Sequence, residues 1–447
     1  MVHRSNRLAT WSAILPLLLG GCSLDLNTPD PFEDYQEQGN RALDWVNTSA
    51  HAVSFEPSAS TTDLQPLKKV VGTARLVGMG EATHGTHEFF TMKDRVFRFL
   101  VEEMGFTGFA IEATMPEAFA VDTYVRTGRG DPAVLLSHLY FWTWNTSEVA
   151  DLIQWMRAYN RDKPADKQVG FYGFDMQYPG VAIDSVVSYT TRVAPGLAFE
   201  IAQDYACLND YRNDTRGRSP QNYSSAPPDV LVNCGAAVVQ AHERLVARRN
   251  VLEPVSSAAD YALALQMARV VVQWEATKRN QMSRDAAMAE NADWLLRNRA
   301  GPNGKLFLWA HNFHISRGPQ GNTMGAYLAR TFREAYVPIG FTFGSGEFTA
   351  VVNGSVSSTS APEPSIGSYE EVFQYAKKRN FLVAMTELPT GDLATWFAGP
   401  KRMRTIGSVY NPAQPESFYY TAYPRAEFDA LIYVHSTTAS RRLPFIF

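Results

Sequence analysis

The chain has 447 residues, of which 45% are hydrophobic and 19% charged; 41 basic and 45 acidic side chains give a net charge of -4. That near-balance leaves no basic stripe, which excludes nucleic acid as the expected partner, while the length allows a large core with insertions. Aromatic residues make up 12% of the chain, enough to fill a core and to line a wide apolar pocket.

At the amino end, Arg4 and Arg7 precede an apolar run from Leu8 to Leu19, and Leu19-Gly20-Gly21-Cys22 has the form of a bacterial lipobox. The run is too short for a permanent membrane helix, so residues 1–22 read as a signal peptide with Cys22 as the site of lipidation. Ser23, rather than Asp, after the cysteine points to the outer membrane of a bacterial cell envelope, with membrane contact through the lipid anchor only. Residues 23–45, rich in Asp, Pro, Glu and Gln, read as a flexible tether, and one domain is expected over 46–447. With Cys22 acylated, Cys207 and Cys234 are the remaining thiols. In an oxidising compartment such a pair is expected to form a disulfide that pins a loop between helices.

In chain order, a buried strand at 74–79 leads to a helix at 88–103, where Phe89, Val96, Phe97 and Leu100 recur at helical spacing. A strand at 106–111 follows, then helical patterns at 116–126 and 131–138, a helix at 147–161 capped by Ser147, and a strand at 169–174. From 182 to 299 strand signals fade and long helical runs take over. This insertion is expected to pack over the strand ends as one wall of a cleft. A strand at 305–310 resumes the sheet, followed by a helix at 323–335 and strands at 337–342 and 347–352 with a hairpin turn at Gly344-Ser345-Gly346. A helix at 369–379, a strand at 381–387, a helix at 390–398 and a strand at 429–434 complete the chain. The alternation predicts the α/β class, with a mostly parallel layered sheet and flanking helices.

Four strands end on ionisable residues: Glu81 and His84 after the first, Glu112 after the second, Asp175 after the third, and His311 with His314 after the fourth. Carboxyl ends of parallel strands open onto one crevice, so these residues are expected to meet. An imidazole, titrating at about 6.5 when unperturbed, can take a proton from water and return it to a leaving group. His84 is the expected general base, with Glu81 or Glu112 orienting the imidazole or holding the water. His311 or His314 would donate to the oxyanion that an attacked ester carbonyl becomes, and Asp175 would accept a hydrogen bond behind them. There is no Gly-x-Ser-x-Gly elbow for a serine nucleophile, and Gly78, Gly80 and Gly85 have the wrong spacing for a dinucleotide loop. His84, His311, His314, Glu81 and Glu112 are also acceptable ligands for a divalent metal such as zinc, although the adopted reading needs no cofactor.

The segments 78–90, 110–113, 144–160, 170–177, 284–291, 309–314 and 428–434, in this order, resemble the erythromycin esterase family. The resemblance implies a metal-free carboxylic ester hydrolase acting on a small-molecule ester or macrolide. It also implies roles for Glu81, His84, Glu112, His311 and His314, and for Lys93, which stands where the family usually carries a basic residue, often Arg. His87 is not implied. Two other readings of the same residues are a metal-dependent peptidase or amidase and a non-catalytic lipoprotein binding a macrocyclic or metal-containing ligand.

Overall fold

The computed structural model describes residues 31–318 and 321–446; residues 1–22, expected to be a signal peptide ending on a lipidated Cys22, lie outside the described residues. Its strands are β1 (His51–Ala52), β2 (Leu76–Met79), β3 (Gly108–Thr114), β4 (Gly170–Asp175), β5 (Leu306–Trp309), β6 (Tyr336–Val352), β7 (Ser355–Ala361), β8 (Asn380–Ala384), β9 (Lys401–Arg404), β10 (Tyr419–Ala422) and β11 (Ala430–Thr437). The main sheet has the order β1-β8-β11-β6-β2-β5-β3-β4, with β7 added to β6. From β11 to β4 every neighbour is parallel, and β8, β1 and β7 join antiparallel. This is the α/β class read from the sequence.

Alternation along each strand builds two cores. Phe109, Ile111, Phe307 and Trp309 face one layer of helices, and Ala110, Leu306 and Leu308 face the other. After β2 the chain enters helix His87–Met104, whose Phe89, Phe97 and Leu100 belong to the first core. After β5 it enters helix Met324–Phe332, whose Met324 and Leu328 belong to the second. Since β2 and β5 are neighbours, the chain leaves adjacent strand ends toward opposite faces, the topology that opens a crevice in such sheets.

Between β4 and β5 lie helices Gly180–Val193, Pro195–Tyr205, Pro228–Ala247, Ala258–Lys278 and Arg284–Asn298, the expected insertion. Cys207 and Cys234 are joined, with 5.7 Å between their Cα atoms and a sequence separation of 27, so the bridge ties the end of one insertion helix to the body of another. Closing a loop of that length is worth about 3–4 kcal/mol through the unfolded chain. Replacing both cysteines with serine is therefore expected to lower the melting temperature while leaving the native circular dichroism spectrum intact. An unchanged melting temperature would show that the loop is held by its packing alone.

Three local expectations are corrected. The tether assigned to 23–45 gives way to a helix over Pro31–Ser49, because Ala42 and Val46 are buried and Trp45 packs edge-on against Phe397 at 5.2 Å. Gly344-Ser345-Gly346 is not a turn but lies within β6, and the hairpin turns at Asn353 and Gly354, both with positive φ. β7 escaped detection because Ser355-Val356-Ser357-Ser358-Thr359-Ser360 is polar on both faces, as suits an edge strand covering little core.

Candidate active site

The loop after β2 is folded tightly by close backbone approaches. A Cβ on Gly80 would lie 2.1 Å from the Asn312 amide oxygen, and one on Gly85 would lie 2.1 Å from the Thr349 carbonyl oxygen. Glycine is therefore required at both positions. Thr83 and Thr86 share a hydroxyl hydrogen bond of 2.6 Å across the turn, and the next residue, His87, begins the helix. This turn folds His84 back onto Glu81, with Nδ1 2.7 Å from Oε1.

Glu81 is fully buried and spends its other oxygen on two donors, Lys93 Nζ at 2.6 Å and the Trp309 indole nitrogen at 2.7 Å. Burial alone would raise this carboxyl, but the Lys93 ammonium and the His84 hydrogen bond outweigh it and hold it below the usual glutamate value. Lys93 is also fully buried, 4.5 Å from the centre of the Trp309 ring, and burial pushes its ammonium down to about 8. At neutral pH the carboxylate is thus ionised and fully satisfied. It is placed to accept the Nδ1–H of His84, which orients the ring with Nε2 turned away from the carboxylate. The His84 side chain is 14% exposed, so that atom has a route to the cleft.

A second network lies across the strand ends. Arg284 donates to Glu112 at 2.7 Å and to both oxygens of Asp175 at 3.2 and 2.7 Å. Glu112 also accepts the backbone N–H of His311 at 3.0 Å. Burial would raise the Glu112 carboxyl, but His314, Arg284 and His84 drive it far down. His314 pairs through Nδ1 with Asp285 at 2.8 Å and lies 3.4 Å from Glu112 through Nε2. Burial lowers His314, but Glu112 and Asp285 more than compensate, so its pKa is raised. His311 differs. Its Nδ1 accepts the Phe313 N–H at 3.2 Å, its Nε2 lies 3.3 Å from the Ile406 carbonyl, and burial beside His84 and His314 pushes it down to about 3. It is a neutral ring, 5.2 Å from His84 between centroids, with both nitrogens engaged inside the protein.

A model of the family described as erythromycin esterase matches residues 101–437, three-quarters of the chain. The chain belongs to the erythromycin esterase family. It is 22% identical to erythromycin esterase type II of Escherichia coli over 86% of this chain and 94% of that one. It is also 22% identical to a putative hydrolase of Bacillus subtilis strain 168, over 80% and 84% of the two chains. A Bacillus cereus protein of known structure superposes with a TM-score of 0.80 at 26% identity, over 91% of this chain and 99% of that one. A structure described as a succinoglycan biosynthesis protein gives 0.77 at 26%, over 90% and 98%. A mutant of the erythromycin esterase EreC in its open conformation gives 0.69 at 19%, over 89% and 99%, a likeness of fold.

The family match begins after Glu81, His84 and Lys93 and includes Glu112, Asp175, Arg284, His311 and His314. Within this esterase-family fold, the five possible metal ligands do not fit a shared ion. Glu81 is spent on three donors, His311 on two internal contacts, and among the described residues no three His, Cys, Asp or Glu side chains are placed to hold one. His87, which the sequence left outside the site, pairs with Glu148 at 2.6 Å, and Glu148 in turn accepts the backbone N–H of Arg441. It therefore pins the carboxyl-terminal segment. Arg284, Asp285 and Trp309 were not singled out as site residues, although each stands inside a stretch that carries the family resemblance.

Glu117, five residues beyond Glu112, is buried with neither carboxyl oxygen partnered among the described residues, and burial raises its pKa well above the usual value. A carboxyl raised in the folded state favours folding below the ordinary glutamate value and loses that contribution as pH rises toward the folded value. Glu117→Gln is therefore expected to raise the melting temperature at pH 8 more than at pH 4.5. An equal shift at both, followed by calorimetry, would show that the carboxyl does not ionise in the unfolded chain over that range or is not neutral when folded.

Proposed function

We propose that this protein hydrolyses a macrolide lactone or a comparably bulky carboxylic ester, with His84 activating water. The observation that carries the reading is the Glu81–His84 pair, with Nδ1 tied to a buried carboxylate and Nε2 left as the base. His84 takes a proton from water as the water oxygen attacks the carbonyl carbon, and the carbonyl electron pair moves onto oxygen. Arg284, whose guanidinium faces the strand ends beside His314, offsets that charge. As the intermediate collapses, the acyl carbon–oxygen bond breaks and His84 returns the proton to the departing alkoxide. The product is the substrate plus one water.

The test is incubation with a panel of macrolides, lactones and aryl esters, followed by liquid chromatography with mass detection. At least one substrate is expected to gain the mass of water and lose its lactone. A panel left untouched, while one member still binds tightly, would make the chain a binding protein and overturn the reading.

A further inference from the structure

A cavity of about 370 Å³ opens beside the site, lined by Phe313, Ser316, Thr405, Tyr420, Thr421 and Glu427 among others. Its position is set by the site itself. Phe313 separates His311 from His314 on the short helix Asn312–Ile315, and its ring meets the His314 ring edge-on at 5.3 Å. On the opposite side, Thr405 precedes Ile406, whose carbonyl faces His311.

The lining combines two features that rarely serve packing alone. Phe313 is 52% exposed, an apolar ring left facing the cavity rather than the core. Around it stand hydroxyl and carboxyl groups: Tyr420 donates to Glu427 at 2.7 Å, and the Thr405 and Thr421 hydroxyls have no protein partner among the described residues. Among the described residues no Lys or Arg lines the cavity, which disfavours an anionic group beside Glu427, and both Glu427 oxygens already accept, from the Tyr420 hydroxyl and the Tyr423 N–H, rather than waiting for a cation. A purely apolar group would bury the threonine hydroxyls without partners, at a cost. The ligand chemistry that satisfies both features is a neutral ring with an apolar C–H face and hydroxyl edges. The cavity size lies at the lower end of small-molecule sites, suited to one such ring.

We infer that this cavity is a sugar subsite: it receives a neutral monosaccharide unit attached to the ester, stacked on Phe313 and hydrogen-bonded by Thr405, Thr421 and the Tyr420–Glu427 pair. The inference rests on the esterase reading for its link to catalysis, but sugar binding can be measured without turnover.

Two measurements test it. In the first, a glycosylated macrolide and its aglycone are compared as substrates of the wild type, Phe313→Ala and Thr405→Val. KM for the glycosylated substrate is expected to rise about tenfold in Phe313→Ala, equivalent to about 1.4 kcal/mol, and severalfold in Thr405→Val, with kcat and both aglycone parameters nearly unchanged. In the second, saturation-transfer NMR with methyl hexopyranosides is expected to show contact with the wild type and His84→Ala, and none with Phe313→Ala. Equal losses for glycosylated substrate and aglycone would mean that Phe313 only supports His314, and would overturn the subsite. So would absence of glycoside contact with the wild type. Glycoside contact without hydrolysis of any ester would leave the subsite standing and remove the esterase reading.

Discussion

His84→Ala is expected to lower turnover of the hydrolysed ester by at least ~100-fold, the lower end of what a positioned general base contributes. The side chain is largely enclosed but lies at the edge of the core, in a turn held by Thr83, Thr86 and the Gly85–Thr349 approach. Its truncation therefore removes the proton acceptor without emptying a packed cavity. Circular dichroism and melting temperature should change little, and KM should change less than kcat, because the lost interaction forms in the transition state. Glu81→Gln should produce a smaller fall in turnover with a loss of stability, since the amide can still accept from Nδ1 but leaves Lys93 without its counter-charge. A His84→Ala enzyme within a few-fold of wild-type turnover would move the base elsewhere.

Lys93→Met carries the largest expected effect on stability. Lys93 and Glu81 are both fully buried and lie 2.6 Å apart. Removing one member of such a pair leaves an uncompensated charge, at a cost of about 3–5 kcal/mol. The sign of the pH dependence follows. In the wild type the Glu81 carboxyl is held below its ordinary value, so it stabilises above that value and loses the contribution as pH falls. Without Lys93 the burial that raises it prevails, so the variant is penalised as pH rises above the ordinary glutamate range. The difference between the two proteins should therefore be largest near pH 7 and shrink toward pH 4, as measured by urea unfolding at each pH. Activity should fall as well, because a protonated Glu81 no longer orders the His84 tautomer. A variant as stable as wild type at pH 7 would show that Glu81 is neutral in the native protein. Lys93→Arg retains the charge, and any defect it shows must come from fitting a wider, planar group against Trp309 and Phe341.

The candidate site was partly legible because strand ends and turns are local features. Glu81 and His84 are three residues apart, and the Gly80-to-His87 turn that joins them is written in consecutive residues. The same holds for Glu112 at the end of an apolar run and for His311 and His314 after another. Edge elements were less legible: β7, β9 and β10 bury little and so show little hydrophobic period. The helix Pro31–Ser49 was obscured because its polar face dominates the composition, while Ala42 and Val46 gain their meaning from packing on a helix some 350 positions away, near Asp392.

The sequence by itself determined the layered α/β architecture, the helical insertion, the family and the ionisable residues at four strand ends, because each depends on local periodicity or on short ordered motifs. Tertiary structure alone decided what those residues do to one another. Lys93 reaches Glu81 across 12 positions, Trp309 reaches it across 228, and Arg284 reaches Glu112 across 172. Only those contacts separate an ionised, satisfied Glu81 from a buried acid, a His311 whose pKa is pushed down from a His314 whose pKa is raised, and a His84 paired with Glu81 from a His87 paired with Glu148. The reason is electrostatic: protonation and tautomer depend on desolvation and on charges within a few ångströms, and the folded chain, not its order of residues, sets those distances.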